Sequence, residues 1–276
     1  MFIPLHDANS LKHIRLQYVT IGMIVANVIV FLITTVGGDD ATQAAVIGLG
    51  YIPSVAFDHA ELPPEFVMIP ESATYVSYAF LHADFWHIAG NMLFLWVFGD
   101  NVEDAMGHIR YFFFYLICAA AGALFHGMMT PLSDSPLIGA SGAVAGVVAA
   151  YLLLHPRVKV WILAFGRIPL RIPAWIALIA WIGFQIVMFT MAGDEEVSWA
   201  AHLGGIAAGA LLILLFRRRG VPLLDRQIVE PRAVETVTPD MRPETSPRGP
   251  WGARSRTASS IDSRPIRCID AARRGE

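Results

Sequence analysis

A serine and a histidine stand in glycine-rich, otherwise apolar surroundings: Ser141 in Gly139-Ala140-Ser141-Gly142-Ala143, and His202 in Trp199-Ala200-Ala201-His202-Leu203-Gly204-Gly205. A hydroxyl is a weak nucleophile until a neighbouring base takes its proton, and imidazole does this near neutral pH. A third stretch, His87-Ile88-Ala89-Gly90-Asn91, sets an imidazole and a carboxamide four residues apart, on one face of a helix. Both can donate hydrogen bonds, which suits them to hold a developing oxyanion. Ser141 as nucleophile, His202 as general base, and His87 with Asn91 as oxyanion donors make up the parts of covalent acyl transfer.

The elements that must position these groups are membrane helices. Of 276 residues, 55% are hydrophobic and 16% charged, where soluble domains carry about 25% charged residues. Six stretches, at 18–36, 85–106, 109–129, 136–155, 172–192 and 197–216, approach the roughly 20 residues that cross a bilayer. Asp100, Asn101, Glu103 and Asp104, late in the second, read as its exit into the interface. All 20 Lys and Arg residues fall in 1–17, the turn near 107–110, the loop 156–171 and the segment after 216. The loops 37–84, 130–135 and 193–196 hold none, but contain acids such as Asp39, Asp84, Asp134 and Glu195. The positive-inside rule therefore predicts that both termini are cytoplasmic.

In that topology the second, fourth and sixth stretches all enter from outside. Ser141 and His202 each lie about five residues in, roughly 7–8 Å below the outer boundary at 1.5 Å per residue. The fourth carries a GxxxG from Gly142 to Gly146 and the sixth another from Gly205 to Gly209. Small residues at this spacing let helix backbones approach closely in lipid. Singly, a serine among glycines packs helices, a histidine at a helix end is interfacial, and an asparagine joins spans. Their conjunction at one depth favours chemistry, since polar and ionisable groups inside a bilayer are costly.

Residues 37–84, with Pro53, Pro63, Pro64 and Pro70, are expected to fold over the outer surface. Residues 217–276 turn to Pro, Arg, Ser, Thr and Glu, a composition that predicts a disordered cytoplasmic tail. Cys118 and Cys268 give no disulfide framework. No HExxH motif occurs, and nothing calls for a metal, a cofactor or a nucleic acid.

Gly139-Ala140-Ser141-Gly142 resembles the GxSG motif of rhomboid intramembrane serine proteases. Ala201-His202-Leu203-Gly204-Gly205-Ile206-Ala207-Ala208-Gly209 resembles that family's AHxxGxxxG, and His87 to Asn91 its HxxxN, with His82 at a further histidine position. The resemblance covers about residues 15–216. It implies an all-α, six-transmembrane-helix bundle open to the outer face: a cytoplasmic segment 1–17, a protease domain 18–216 with its outside loop 37–84, and the tail. It also implies a Ser141–His202 dyad without an acid. The implied partners are the lipid bilayer and single-span or polytopic membrane proteins, cleaved in or near their transmembrane segments. The expected location is the cell (plasma or inner) membrane. One departure is Ala145, where some members carry an aromatic that packs on the histidine. The alternative from another class is a non-catalytic rhomboid-like protein that binds membrane clients; such proteins lose the serine or the histidine, and both are present.

Overall fold

The computed structural model describes residues 2–164, 166–191 and 198–225. The expected outside loop 193–196, the tail from 226 onward and Cys268 lie outside the described residues. All that is described belongs to one unit, Met1–Arg232.

Helix α1 (Tyr18–Val36) buries only Thr20, Met23 and Asn27, a single stripe at helical spacing. Val25, Val28, Ile29, Leu32 and Ile33 are exposed, as suits a hydrocarbon solvent, while Val19, Ile24 and Phe31 pack partly against the core. Residues 38–84 fold into α2 (Gly38–Leu49), α3 (Pro53–Ala56), α4 (Glu71–Ser77) and 3-10 turns at Pro64–Phe66 and Tyr78–Phe80. Five more helices follow: α5 (Phe85–Met106), α6 (His108–Met129), α7 (Ser141–Leu154), α8 (Ala174–Met191) and α9 (Trp199–Phe216). Among the described residues, four helices, α1, α6, α8 and α9, are long and apolar enough to cross a membrane. Helix α5 has the length but carries Asp100, Glu103 and Asp104, and α7 has 14 residues. The chain is a predominantly helical, multi-pass membrane protein.

Two expectations are corrected at the end where α5 finishes. The fold is not all-α: β1 (Phe2–Asp7), β2 (Lys159–Ala164) and β3 (Ile168–Pro173) form an antiparallel sheet in the order β1-β2-β3. Pro4 lies on the edge strand β1, where a missing N–H is tolerated, and the register shifts between Pro4 and His6. Nor are the polar residues late in α5 left exposed at its end. Asn101, Glu103 and Asp104 are 2%, 0% and 6% exposed.

Asn101, Glu103 and Asp104 each have hydrogen-bond partners, as their burial requires. Glu103 accepts from Val19 N (3.0 Å), Thr20 N (2.8 Å) and Thr20 Oγ1 (2.7 Å), satisfying the amide groups that open α1. Its other neighbour is His108 Nδ1, at 2.6 Å. Asp104 accepts from the backbone N–H groups of Lys12, His13 and Ile14 at 2.6–3.0 Å. Asp7 Oδ2 accepts from Tyr151 Oη (2.7 Å) and Asn101 Nδ2 (3.0 Å).

The expectation of a tail from 217 is also corrected, because 217–225 packs on the helices. Arg218 N donates to Ala105 O, Leu224 N to Leu153 O and Asp225 N to Leu154 O. Lys12 Nζ lies 3.3 Å from Asp225 Oδ2, and Val221 is buried. The N-terminal segment, the β2–β3 hairpin, the α5–α6 turn and residues 217–225 therefore share one end of the bundle. Gly107 alone makes the α5–α6 turn, at φ +84°, a conformation that side chains disfavour.

Candidate active site

At the opposite end, the stretch 136–140, bridged to Tyr51 at Leu137, delivers the chain to Ser141. The sequence pattern placed Ser141 about one turn inside a helix beginning at 136; instead it is the first residue of α7. The break has a backbone cause, since Gly139 sits at φ +117° and cannot continue a helix. Residues of the outer segment hold this stretch in place. Tyr51 and Leu137 exchange backbone hydrogen bonds (3.1 and 2.8 Å), and Gly139 N donates to Tyr78 O (3.0 Å). His82 Nε2 faces Ala140 N at 3.4 Å.

Starting a helix at Ser141 has a chemical consequence. Val144 N donates to Ala140 O, so the N–H groups of Ser141, Gly142 and Ala143 precede the first intrahelical bond of this turn. They form the positive end of the helix dipole, beside the Ser141 hydroxyl. A negative charge growing on the oxygen of a carbonyl attacked by Oγ would be stabilised there.

The α7–α9 pair is glycine against glycine. A Cβ on Gly205 would overlap the carbonyl oxygen of Gly142, and one on Gly209 would overlap that of Gly146. One on Gly146 would lie 3.0 Å from Gly205 O. Helix α6 joins through Gly122, whose Cβ would meet Ala201 O at 2.9 Å and Tyr78 Oη at 3.1 Å. Tyr78 Oη donates to Ala119 O (2.8 Å), which fills the junction.

His202 is buried, at 8% exposure, one turn before Gly205 on α9. Its Nδ1 lies 3.0 Å from Gln185 Oε1 on α8. Trp181 is nearly parallel to the imidazole (27°, centroids 6.4 Å apart) and Trp199 meets it edge-on (89°, 5.7 Å). Ser198 caps α9 by accepting from Ala201 N (3.1 Å), and its hydroxyl is 2.8 Å from His126 Nδ1. The aromatic absent at Ala145 is thus replaced by two tryptophans from other positions, and Ala145 itself is fully buried.

His87 and Asn91 open α5, which Asp84 caps by accepting from Trp86 N (2.7 Å) and His87 N (3.0 Å). Those two N–H donors hold the exposed Asp84 carboxyl below its ordinary range, that of His87 first. The ring of His87 stands against the Gly139 backbone, its Nε2 only 2.6 Å from where a Cβ would be. It meets His82 edge-on at 5.0 Å. Burial, then the neighbouring His87, lowers His82 to about 3, so it is a neutral ring. Asn91 is buried and spends one amide hydrogen on His87 O (3.0 Å), leaving a second.

Gln185, Trp181 and Trp199 were not anticipated from the sequence. Gln185 had a signal: it is one of two polar side chains in the 18 residues of α8, and a carboxamide in an apolar span needs a partner.

A family model described as "Rhomboid domain" matches residues 70–219, just over half of the chain. "Rhomboid protein 1, mitochondrial" of Saccharomyces cerevisiae is 34% identical over 137 residues, covering 48% of this chain and 38% of that protein. "RHOMBOID-like protein 12, mitochondrial" of Arabidopsis thaliana is 33% identical over 154 residues, 50% of this chain and 44% of its own. "Rhomboid-related protein 2" of Mus musculus is 33% identical over 143 residues, with 50% and 46% covered. The chain thus spans less than half the length of each of these relatives. The matched residues run from just before α4 to just after α9 and include His87, Asn91, Ser141, Gln185 and His202: the chain belongs to the rhomboid family.

Proposed function

We propose that this chain is an intramembrane serine endopeptidase that hydrolyses peptide bonds in or near the transmembrane segments of membrane proteins. The observation that carries the reading is the pairing of α7 and α9 through Gly142 and Gly205. It holds a helix that begins with a serine against a helix bearing a buried histidine. With Nδ1 engaged by Gln185, the nitrogen left to His202 as a base is Nε2.

In this reading Ser141 Oγ attacks the scissile carbonyl carbon while His202 Nε2 takes the hydroxyl proton. The oxyanion is held by the Ser141 N–H with His87 and Asn91. Collapse breaks the C–N bond; His202 returns its proton to the leaving amine, and an acyl-enzyme remains on Ser141. Water then attacks that ester, with His202 again accepting a proton and returning it to Oγ. A bundle serving this sequence needs a wet path from the outer face to Ser141.

The finer architecture belongs to the same proposal. Six spans, formed by α1 and α5–α9, run alternately through the bilayer, and 18–216 is the protease domain. The Lys- and Arg-bearing end, where the sheet lies, faces the cytoplasm. Substrates are single-span or polytopic membrane proteins reached from within the bilayer. The cell (plasma or inner) membrane is proposed as the location, and relatives named mitochondrial lend it no support.

The test is cleavage of a single-span substrate by purified protein in detergent, with Ser141→Ala beside the parent. The parent should cleave and react with a fluorophosphonate probe, and the variant should do neither. Cleavage by Ser141→Ala at the parental rate would end the serine-protease reading.

A further inference from the structure

The side chain that faces His202 from α8 has no place in a two-residue mechanism. Gln185 is 2% exposed, and the other buried residues of α8 are Ala174, Ala177 and Leu178. Burying a carboxamide in an apolar helix is unfavourable unless it is hydrogen-bonded. Its Oε1 lies 3.0 Å from His202 Nδ1.

We infer that Gln185 is a positioning residue for the catalytic histidine, fixing the tautomer and ring plane of His202; this rests on the dyad reading above. An amide oxygen only accepts hydrogen bonds, so its partner nitrogen carries the proton. Nδ1–H at Gln185 leaves Nε2 with its lone pair free. That is the form that can take a proton from a serine, and the two nitrogens sit on opposite sides of the ring. In triads an aspartate does this work. A neutral amide does it without adding a charge to a low-dielectric interior, where an extra carboxylate is costly.

The clamp has a second jaw on the same helix. Trp181 precedes Gln185 by four residues, so both project from one face of α8. Trp181 lies along the imidazole plane while Gln185 bonds its edge, and Trp199 closes the third side from within α9. The ring is thus held by one hydrogen bond and two aromatic surfaces.

The test compares Gln185→Leu, Gln185→Met and Gln185→Glu with the parent, reading kcat and KM on a single-span substrate, fluorophosphonate labelling, and the imidazole 15N shifts of His202. The two apolar variants should lose about 10²-fold in kcat with KM nearly unchanged, less than the ~10⁴ lost when a charged triad takes the wrong tautomer. Gln185→Glu restores an acceptor oxygen and should recover most of that loss. In the parent, His202 Nδ1 should show the shift of a protonated nitrogen and Nε2 that of an unprotonated one.

Parental kcat in Gln185→Leu, while the parent is labelled at Ser141, would overturn the positioning role and leave the protease reading intact. A parent that neither cleaves nor is labelled would overturn the protease reading instead. Should the apolar variants fail to fold, the nitrogen shifts of the parent decide. An unprotonated Nδ1 overturns the inference, and a protonated one, with recovery in Gln185→Glu, supports it.

Discussion

Gly142 and Gly205 face each other across α7 and α9 so closely that a methyl group on Gly205 would overlap the Gly142 carbonyl oxygen. Ser141 is next to the first of these residues in the chain, and His202 lies one turn before the second. In the proposed mechanism the distance between the helices is therefore also the distance that governs proton transfer. Gly205→Ala should force the helices apart at a cost of about 1–3 kcal/mol. Displacement on the order of 1 Å at a reacting pair can cost about 10²-fold in rate. Gly183→Ala on α8, with nothing within 4 Å of the new methyl, is the control. Cleavage rates and thermal unfolding midpoints in detergent should fall for the first and hold for the second; equal behaviour would show that close approach is unimportant.

The oxyanion donors should be separable from the dyad. His87→Ala and Asn91→Ala each remove one donor, which typically costs about 10²–10³-fold in turnover while others persist. His202→Ala should fall close to Ser141→Ala, and the double variant should be no worse, because parts of one catalytic unit are not additive. Gly139→Ala should act like His87→Ala, since its methyl would sit 2.6 Å from His87 Nε2 at a φ of +117°. Full kcat in Asn91→Ala on several substrates would leave interhelical packing as the better account of that residue.

Stability should depend on pH through Asp7. Burial, first among its influences, raises this carboxyl from 3.8 to about 6 in spite of the Tyr151 hydrogen bond. The folded state then binds the proton more tightly than the unfolded chain. The contribution is complete below pH 3.8 and is lost as pH rises through 6. At pH 7.5 an ionised Asp7 is held in the fold at a cost of up to about 3 kcal/mol, from 1.36 kcal/mol per unit. Asp7→Asn should resist SDS unfolding better than the parent at pH 7.5, and the gap should narrow by pH 4.5. A constant gap across that range would place the titration elsewhere.

The boundary of the folded unit is testable by truncation. A chain ending at Asp225 keeps the bonds from Leu224 N and Asp225 N to Leu153 and Leu154, together with the buried Val221. A chain ending at Gly220 loses them, at about 0.5–1.5 kcal/mol for each hydrogen bond. The longer form should melt as the full chain does and the shorter form several degrees lower. Identical melting curves would mean that 221–225 adds nothing to the fold.

What was legible in the residues was whatever depends on spacing along one helix. The apolar runs, the GxxxG pairs and the four-residue step from His87 to Asn91 are local patterns, and the helices stand where those patterns lie. What was not legible depends on pairings far apart in the chain. β1 reads as a short polar-apolar mixture with a proline, and only its partner β2, more than 150 residues later, makes it a strand. Asp100, Glu103 and Asp104 have the composition of an interfacial exit, yet Glu103 and Asp104 serve as acceptors for amide groups of the N-terminal segment and α1. The start of α7 was misplaced because the positive φ of Gly139 outweighs the apolar run from 136. Gln185 went unread for the same reason as β1: its meaning lies on another helix.

The carboxylate of Glu103 also bears on how the protein is made. Helix α1 is synthesised before α5, and the groups that accept from Val19 N and Thr20 N are 83–84 residues further along. At roughly 5–20 residues per second, that delay is about 4–17 s. Until α5 arrives, the leading turn of α1 has only water or headgroups to bond with, so it waits at the membrane surface. Helix α1 is therefore made before its partner exists and is fastened only once α5 has followed it.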